Sequence, residues 1–336
     1  MQATTTSSPK SLYRKFKKMF VTVGSFDGFH KGHEKLFEVC RKNSLNNDWG
    51  IVTFSPHPSE YFGNLKHTMF TLKERGFLSR IFEIPKFFVF NFDETFRNLS
   101  AEDFIDILIK NFHVDGIVAG SDFHFGRGRL GSAELLEKID DRRIKIFKLD
   151  LFEKKFYSST QAREKFLSGD LNEVRKILGY PVFMISDVIH GNARGRTMNF
   201  PTANINLKNR IIPADGVYCT AVLIDGEWHC GALSVGKNPT FGDVNETRAE
   251  VFITDFSGDI YGSEILIFFL ERIRGIKIFD SREALMKQIS LDVEKCGGIF
   301  RDSLREPNTK NFLERAKKIL CTEKISEPEI IFLPKK

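Results

Sequence analysis

Two histidines three residues apart, His30 and His33, bracket Gly32 in the stretch GSFDGFHKGHEKLF, residues 24–37. Residues three apart in a helical turn share a face. Two imidazoles on one face can donate hydrogen bonds to phosphate oxygens as charge builds in a transition state. The stretch before them, KKMFVTV, ends in β-branched and aromatic residues and stops at Gly24, which reads as a short buried strand. After them, EKLFEVCRKN carries Leu36, Phe37, Val39 and Cys40 at helical spacing. The motif is therefore expected at a strand-to-helix turn, where parallel α/β proteins hold phosphate against the N–H groups of a helix start. A metal site is a rival reading, but HxxH lacks the Glu of HExxH and has no evident third ligand. A second rival makes both histidines helix caps. The glycines around them favour phosphate.

Two further stretches carry polar groups suited to phosphate. Ser158, Ser159 and Thr160 precede a helix whose first turn holds Arg163. Hydroxyls there satisfy helix N–H groups; with an arginine they also form a phosphate clamp, since a guanidinium binds two oxygens at once. Residues 191–204, GNARGRTMNFPTAN, set glycines around Arg196 ahead of Pro201, Thr202, Ala203 and Asn204. Such a loop can wrap phosphates with backbone N–H groups and hydroxyls. It is not a Walker A loop, which needs GK[ST], and a plain polar barrel loop fits it equally.

The elements that must position these groups form two patterns. In the first half, strand-like runs (50–58, 86–92, 114–126 entering a glycine-rich loop, 142–150) alternate with helical ones, among them AEDFIDILIKNF (101–112), with Phe104, Ile105, Leu108, Ile109 and Phe112 on one side. That alternation implies a parallel sheet with crossover helices, its ligand at the strands' carboxyl ends. His30, His57 and Asp122 follow such strand ends and are expected to converge there. LNEVRKILG (171–179) reads as a helix ended by Gly179. Beyond it, VFMISDVIHG, VYCTAVLI, HCGALSVG, AEVFITDF and SEILIFFLERI are closely spaced strands without helices between them, which suggests an antiparallel barrel. A helix over 281–296 should pack on that barrel. The boundary is placed near residue 182, giving domains 1–182 and 183–305 with an extension, 306–336, read as a short helix and an extended end.

Bulk composition sets limits on class. The chain has 336 residues, 41% hydrophobic and 28% charged, ordinary for a globular protein of two domains. A net charge of +6 from 50 basic and 44 acidic side chains suits small anionic substrates, not the concentrated basic footprint of a nucleic-acid binder. Phe is over-used, with 34 copies against two Trp, which points to a Phe-rich core. The five cysteines, Cys40, Cys219, Cys230, Cys296 and Cys321, are scattered without CxxC spacing, so a reducing cytoplasm is expected. The N-terminus has no long apolar run; it is Ser/Thr-rich, basic and acid-free, like some transit sequences, but runs straight into the first strand. No stretch reaches membrane-spanning length.

GSFDGFHKGH, SPHP, GSDFHFGRGRLG and YSSTQAR, in that order, resemble the adenylyltransferase module of the bacterial bifunctional riboflavin kinase/FAD synthetase family, part of the HxGH nucleotidylyltransferase superfamily. The resemblance implies a Rossmann-like α/β domain in which a phosphate of FMN attacks the α-phosphate of ATP, releasing pyrophosphate and forming FAD with Mg²⁺ present. It implies that His30 and His33 bind the ATP phosphates and stabilise the transition state. It sets Ser159, Thr160 and Arg163 on the triphosphate, Gly24, Phe26, Asp27 and Gly32 around the nucleotide, and His57, Asp122 and Phe123 near nucleotide and flavin. His124 and Gln161 stand where relatives are often basic, and Ala162 replaces a larger aliphatic.

The second half, in GNARGRTMNFPTAN, GVY, GKNPTFG, AEVFITDFSGDIYG and RIRGIKIF, resembles the riboflavin kinase module. This implies that Thr202 and Asn204 bind Mg²⁺ and ADP phosphates, with Gly195, Arg196 and Pro201 in the ATP loop. Glu250 is then the base for the 5′-hydroxyl of riboflavin, and Arg274 and Phe279 lie in a flap near the flavin. Asn199, Phe252 and Ile276 replace a glycine, a histidine and an acidic residue usual in relatives; Thr202, Asn204 and Glu250 are all present, so an active kinase is expected. The implied partners are riboflavin, FMN, FAD, ATP, ADP and pyrophosphate, with no nucleic acid or membrane, in a cytoplasmic monomer or weak oligomer using separate sites. The alternatives are an FAD synthetase with a silent kinase half, or an HxGH transferase for another acceptor.

Overall fold

In the computed structural model, which describes residues 19–121, 123–132, 135–136, 145–149, 157–190, 200–238 and 243–333, the run MFVTV forms strand β1 (Met19–Val23), buried at every position. Burial on both faces is the mark of a central parallel strand. It pairs in parallel with β2 (Trp49–Ser55) on one side and β4 (Val114–Gly120) on the other. Beyond β2 lies β3 (Lys86–Asn91), and beyond β4 lies β7 (Lys145–Leu149). A small hairpin, β5 (His124–Phe125) with β6 (Gly131–Ser132), follows β4.

The crossovers are helical. Helix α1 (Lys31–Asn43) joins β1 to β2 and buries Leu36, Phe37 and Cys40. Helices α2 (Pro58–Tyr61) and α3 (Leu72–Ile81) join β2 to β3. Helices α4 (Glu94–Arg97) and α5 (Ala101–Phe112) join β3 to β4. The helix expected over 101–112 is α5, started by Ser100, whose hydroxyl accepts from the Asp103 N–H at 2.9 Å. Phenylalanines fill this core as edge-to-face and tilted pairs: Phe90–Phe96, Phe96–Phe104 and Phe90–Phe112 have centroids 5.4, 5.7 and 5.5 Å apart. Such pairs add to plain area burial, which accounts for part of the Phe enrichment.

The first unit takes Met1–Lys66, Gly76–Lys155 and Glu327–Lys336; the second takes His67–Arg75 and Phe156–Ser326. Helix α3 thus begins in the second unit and ends in the first. The last strand, β14 (Ile330–Ile331), belongs to the first and pairs in parallel with β3, giving the order β14-β3-β2-β1-β4-β7.

In the second unit, α6 (Ser159–Leu167) and α7 (Leu171–Leu178) precede a closed antiparallel barrel, and Gly179 ends α7 in the left-handed conformation at φ 89°. The barrel runs β10 (Gly216–Ile224), β11 (Glu227–Asn238), β12 (Asp243–Ile253), β9 (Thr202–Ile205), β8 (Phe183–Ile189), β13 (Glu264–Arg274). Helices α6 and α7 pack on it: Phe166 meets Phe269 edge-on at 5.6 Å, and Arg175 donates to the Leu270 carbonyl at 2.6 Å. Sequence reading treated 202–204 as loop. It is strand β9, a short polar segment held because it pairs with both β8 and β12. The helix expected over 281–296 is α8 (Arg282–Arg305), nine residues longer at its end. The short helix expected in the extension is the 16-residue α9 (Pro307–Thr322), whose Phe312 stacks on Tyr180 at 4.4 Å.

The segment 67–75 is tied into the second unit by Glu74. Its buried carboxylate accepts from Arg210 Nη1 at 2.9 Å, from the Ile185 N–H at 2.7 Å and from the Thr71 N–H at 2.8 Å. Arg210 closes the set by donating to the Ile185 carbonyl at 2.8 Å.

Candidate active sites

Parallel strands put their carboxyl ends on one side, so the loops after β1, β2 and β4 meet around the end of β1. The first of these carries His30 as the N-cap of α1 and His33 in its first turn. Their rings stack with centroids 3.6 Å apart and planes 19° apart. Phe26 abuts His33 edge-on at 4.9 Å. Phe26 holds φ at 46°, unusual for a residue with a side chain, and Gly24 makes room for it: a Cβ there would stand 3.2 Å from the Phe26 ring. Asp27 is buried and Gly28 takes φ 80°.

His33 Nδ1 lies 3.0 Å from the Gly28 carbonyl. A carbonyl only accepts, so Nδ1 carries the proton and Nε2 is the ring's open valence. Burial, and then the neighbouring charge of His30, hold His33 well below the usual histidine range, against a smaller upward pull from the Gly28 carbonyl. A neutral His33 therefore presents a lone pair at Nε2, and it becomes a second donor there only by taking up a proton.

The other loops place the remaining residues of this unit. His57 is the N-cap of α2: its Nδ1 accepts from the Ser59 N–H at 3.0 Å, and its own N–H donates to Glu60 at 3.1 Å, a reciprocal capping box. Glu three residues after a cap was the sequence signal for that role. Phe123 stacks on Phe125 at 5.2 Å; Asp122 lies outside the described residues. Sequence reasoning passed over an aromatic shelf beside His57. Tyr61, Phe62 and Phe92 pack with centroids 5.2 to 6.0 Å apart, and Phe62 is 52% exposed. An exposed phenylalanine following a strand end was the available signal.

Ser159, Thr160 and Arg163 stand on the first turn of α6, in the second unit. Ser158 is the cap that accepts from the Gln161 N–H at 3.2 Å, and Arg163 donates to Thr160 Oγ1 at 3.2 Å.

The barrel holds a second set of groups. Antiparallel pairing sets Glu250 opposite Asn204 and Phe252 opposite Thr202. Because strand side chains alternate, all four share one face. Thr202 Oγ1 donates to Glu250 Oε2 at 3.2 Å. Phe200 meets Phe252 edge-on at 5.2 Å. A cavity of about 540 Å³ is lined by Pro201, Thr202, Ala203, Val251, Ile253 and Tyr261 among others; of the four facing residues only Thr202 is on its wall. Gly195, Arg196 and Asn199 lie outside the described residues. Arg274 ends β13 and is bound to Asp292 of α8, with Phe279 5.9 Å from its guanidinium carbon. Asp292 was not legible as Arg274's partner in the sequence, since the two lie on different elements.

Two family models match: FAD synthetase over residues 13–161 and riboflavin kinase over residues 178–300. The bifunctional riboflavin kinase/FMN adenylyltransferase of Buchnera aphidicola subsp. Acyrthosiphon pisum is 35% identical over 286 residues, covering 81% of this chain and 90% of that protein. The protein of the same name from Haemophilus influenzae is 34% identical, covering 83% and 94%. Among solved structures, one titled a macrolide-efflux protein from Streptococcus pneumoniae superposes with a TM-score of 0.73 at 36% identity, over 82% of this chain and 93% of that one. The chain belongs to the bifunctional riboflavin kinase/FMN adenylyltransferase family.

Proposed function

We propose that the barrel unit phosphorylates riboflavin to FMN and that the α/β fold adenylylates FMN to FAD, both with ATP, through the residues described above. The two-step activity follows from the family and its two domain models. The division of roles rests on one observation: two separate sets of phosphate-handling groups, the His30–His33 stack at the start of α1 and the Thr202–Glu250 pair across β9 and β12.

In FMN formation, the Glu250 carboxylate takes the proton of the ribityl 5′-hydroxyl. The freed oxygen bonds to the γ-phosphorus of ATP, the bond to the β–γ bridging oxygen breaks, and ADP leaves. Thr202 keeps the Glu250 carboxylate oriented through its hydroxyl. Thr202 and Asn204 offer hard oxygen donors that suit Mg²⁺, which would supply charge neutralisation on the phosphates. Among the described residues no group of three or more His, Cys, Asp or Glu could hold a metal.

In FAD formation, an oxygen of the FMN phosphate attacks the α-phosphorus of ATP and pyrophosphate leaves. His30, His33 and the N–H groups opening α1 stabilise the charge that builds on the phosphates. The aromatic shelf of Tyr61, Phe62 and Phe92, with Phe123, offers faces on which a planar flavin ring stacks. In this reading the products are released between steps, and the five free cysteines suit a reducing, cytoplasmic setting.

The test is chromatography of the flavins after incubating the chain with riboflavin, ATP and Mg²⁺, beside a reaction started from FMN. FMN followed by FAD in the first reaction is expected. FAD from FMN alone would mean a silent barrel, and no flavin product in either would end the reading.

A further inference from the structure

The segment that follows β13 is fastened at its base. Arg274 Nε donates to both oxygens of Asp292, at 3.1 and 3.0 Å, and its Nη2 donates to Oδ2 at 2.6 Å. Its Nη1 donates to the Gly275 carbonyl at 2.9 Å, and Gln288 donates to Asp292 Oδ1 at 2.9 Å. The two side chains are 14% and 6% exposed. A forked, buried pair of this kind has strict geometry, and its charge is already neutralised, so Arg274 is poorly placed to spend that charge on a ligand.

What the pair holds is residues 275–280. Ile276 sits so close to β11 that a Cβ on Gly236 would come within 3.2 Å of its Cγ1. Gly236 pairs with Arg248, and two residues along the same strands Ser234 pairs with Glu250. Two strand residues span about 7 Å, so Ile276 lies about that far from the rung that carries Glu250. Phe279 is drawn in by the Arg274 guanidinium, and Ile278 is left 73% exposed.

We propose that Arg274 and Asp292 are positioning residues: together they set the loop 275–280, with its Ile276, Ile278 and Phe279, beside Glu250, where it receives the planar ring of the phosphate acceptor. This rests on the kinase reading of the barrel. Neither side chain takes part in the chemistry. Its effect is on how tightly the acceptor is held.

The experiment measures FMN formation by Asp292→Asn, Asp292→Ala, Arg274→Ala and the double variant Arg274→Ala/Asp292→Ala in the full chain. Urea unfolding of each variant serves as the control for folding of the barrel unit. Expected is a rise in riboflavin KM of about tenfold or more for each alanine variant, with kcat and the KM for ATP within about threefold, the signature of lost binding alone. The double variant should be no worse than either single one, because both remove the same interaction. Asp292→Asn keeps the shape of the site, so it carries the test if alanine unfolds the barrel; it too should raise riboflavin KM. Unchanged KM in both Asp292 variants would overturn the proposal, as would a fall in kcat at constant KM. An effect of Arg274→Ala without one from Asp292→Ala would make Arg274 a ligand contact instead. If the unaltered chain makes no FMN, the kinase reading itself falls, a result distinct from normal FMN formation with indifferent variants.

Discussion

Protonation of His33 should govern how ATP is used in FAD formation. Its Nδ1–H is held by the Gly28 carbonyl and the ring is held well below the usual histidine range, chiefly by burial. Above about pH 6.5, the ordinary histidine value, the free protein therefore keeps His33 neutral, with a lone pair at Nε2. A lone pair facing a phosphate oxygen is repulsive; an N–H is attractive. The ATP-competent form is then the one that has gained a proton. If one proton is taken up, kcat/KM for ATP in FAD formation from FMN should fall about tenfold per pH unit, or about 1.4 kcal/mol. The assay is the initial rate from FMN at limiting MgATP between pH 7 and 8.5, where the nucleotide's own last ionisation is nearly complete. His33→Gln supplies a neutral amide donor and should be slower, by about 10² if a preorganised donor is lost, but flat with pH. A depressed histidine also binds fewer protons folded than unfolded. Stability of the free protein should therefore decline as pH falls below about 6.5 through the lowered value. Equal pH slopes for the unaltered chain and His33→Gln would refute the reasoning.

Two substitutions test the other parts. Glu250→Ala should stop FMN formation from riboflavin while added FMN still becomes FAD, read by flavin chromatography; loss of both steps with intact folding would defeat the two-site assignment. Glu74→Ala leaves Arg210 buried without its carboxylate and should cost about 3–5 kcal/mol in urea unfolding, the range for a broken buried pair; a loss below about 1 kcal/mol would show that the pair is not what fixes 67–75.

The parts legible in the sequence were those whose cause is local. Helix α5 could be read because Phe104, Ile105 and Leu108 repeat at helical spacing. His30 and His33 could be read because two imidazoles on one turn converge whatever the rest of the chain does. Strand β9 could not, since Thr202 to Ile205 become a strand only between two partners, whose paired residues lie 46 to 50 positions later and 15 to 17 before. The same holds for β14, two residues long, whose pairing to β3 spans most of the sequence. His57 shows the opposite limit. Its place after a strand was expected, and its capping box was written in the sequence, yet its Nδ1 is committed to the Ser59 backbone, not to a ligand.

The same non-local segments bear on whether the two activities can be parted. A cut at residue 182 follows the change of strand pattern, but it leaves each unit short of its own pieces. Residues 1–182 keep β3 and lose β14, whose Ile331, with Leu333, packs against the hydrophobic core around Phe90 and Phe104. That is on the order of 1 kcal/mol for each half-buried side chain, and it exposes a strand edge able to pair with other chains. Residues 183–336 keep Arg210 and lose Glu74, and they also lose α6 and α7, whose Phe166 and Arg175 pack on β13. The second fragment forfeits more, so FMN formation should be lost more completely than FAD formation. Urea unfolding and flavin chromatography of each fragment provide the measure, and a peptide of residues 323–336 added to the first fragment should raise its unfolding midpoint. A pair of fragments with the midpoints and rates of the full chain would mean that these returning segments carry no stability, and that the change of strand pattern at 182 marks the working boundary after all.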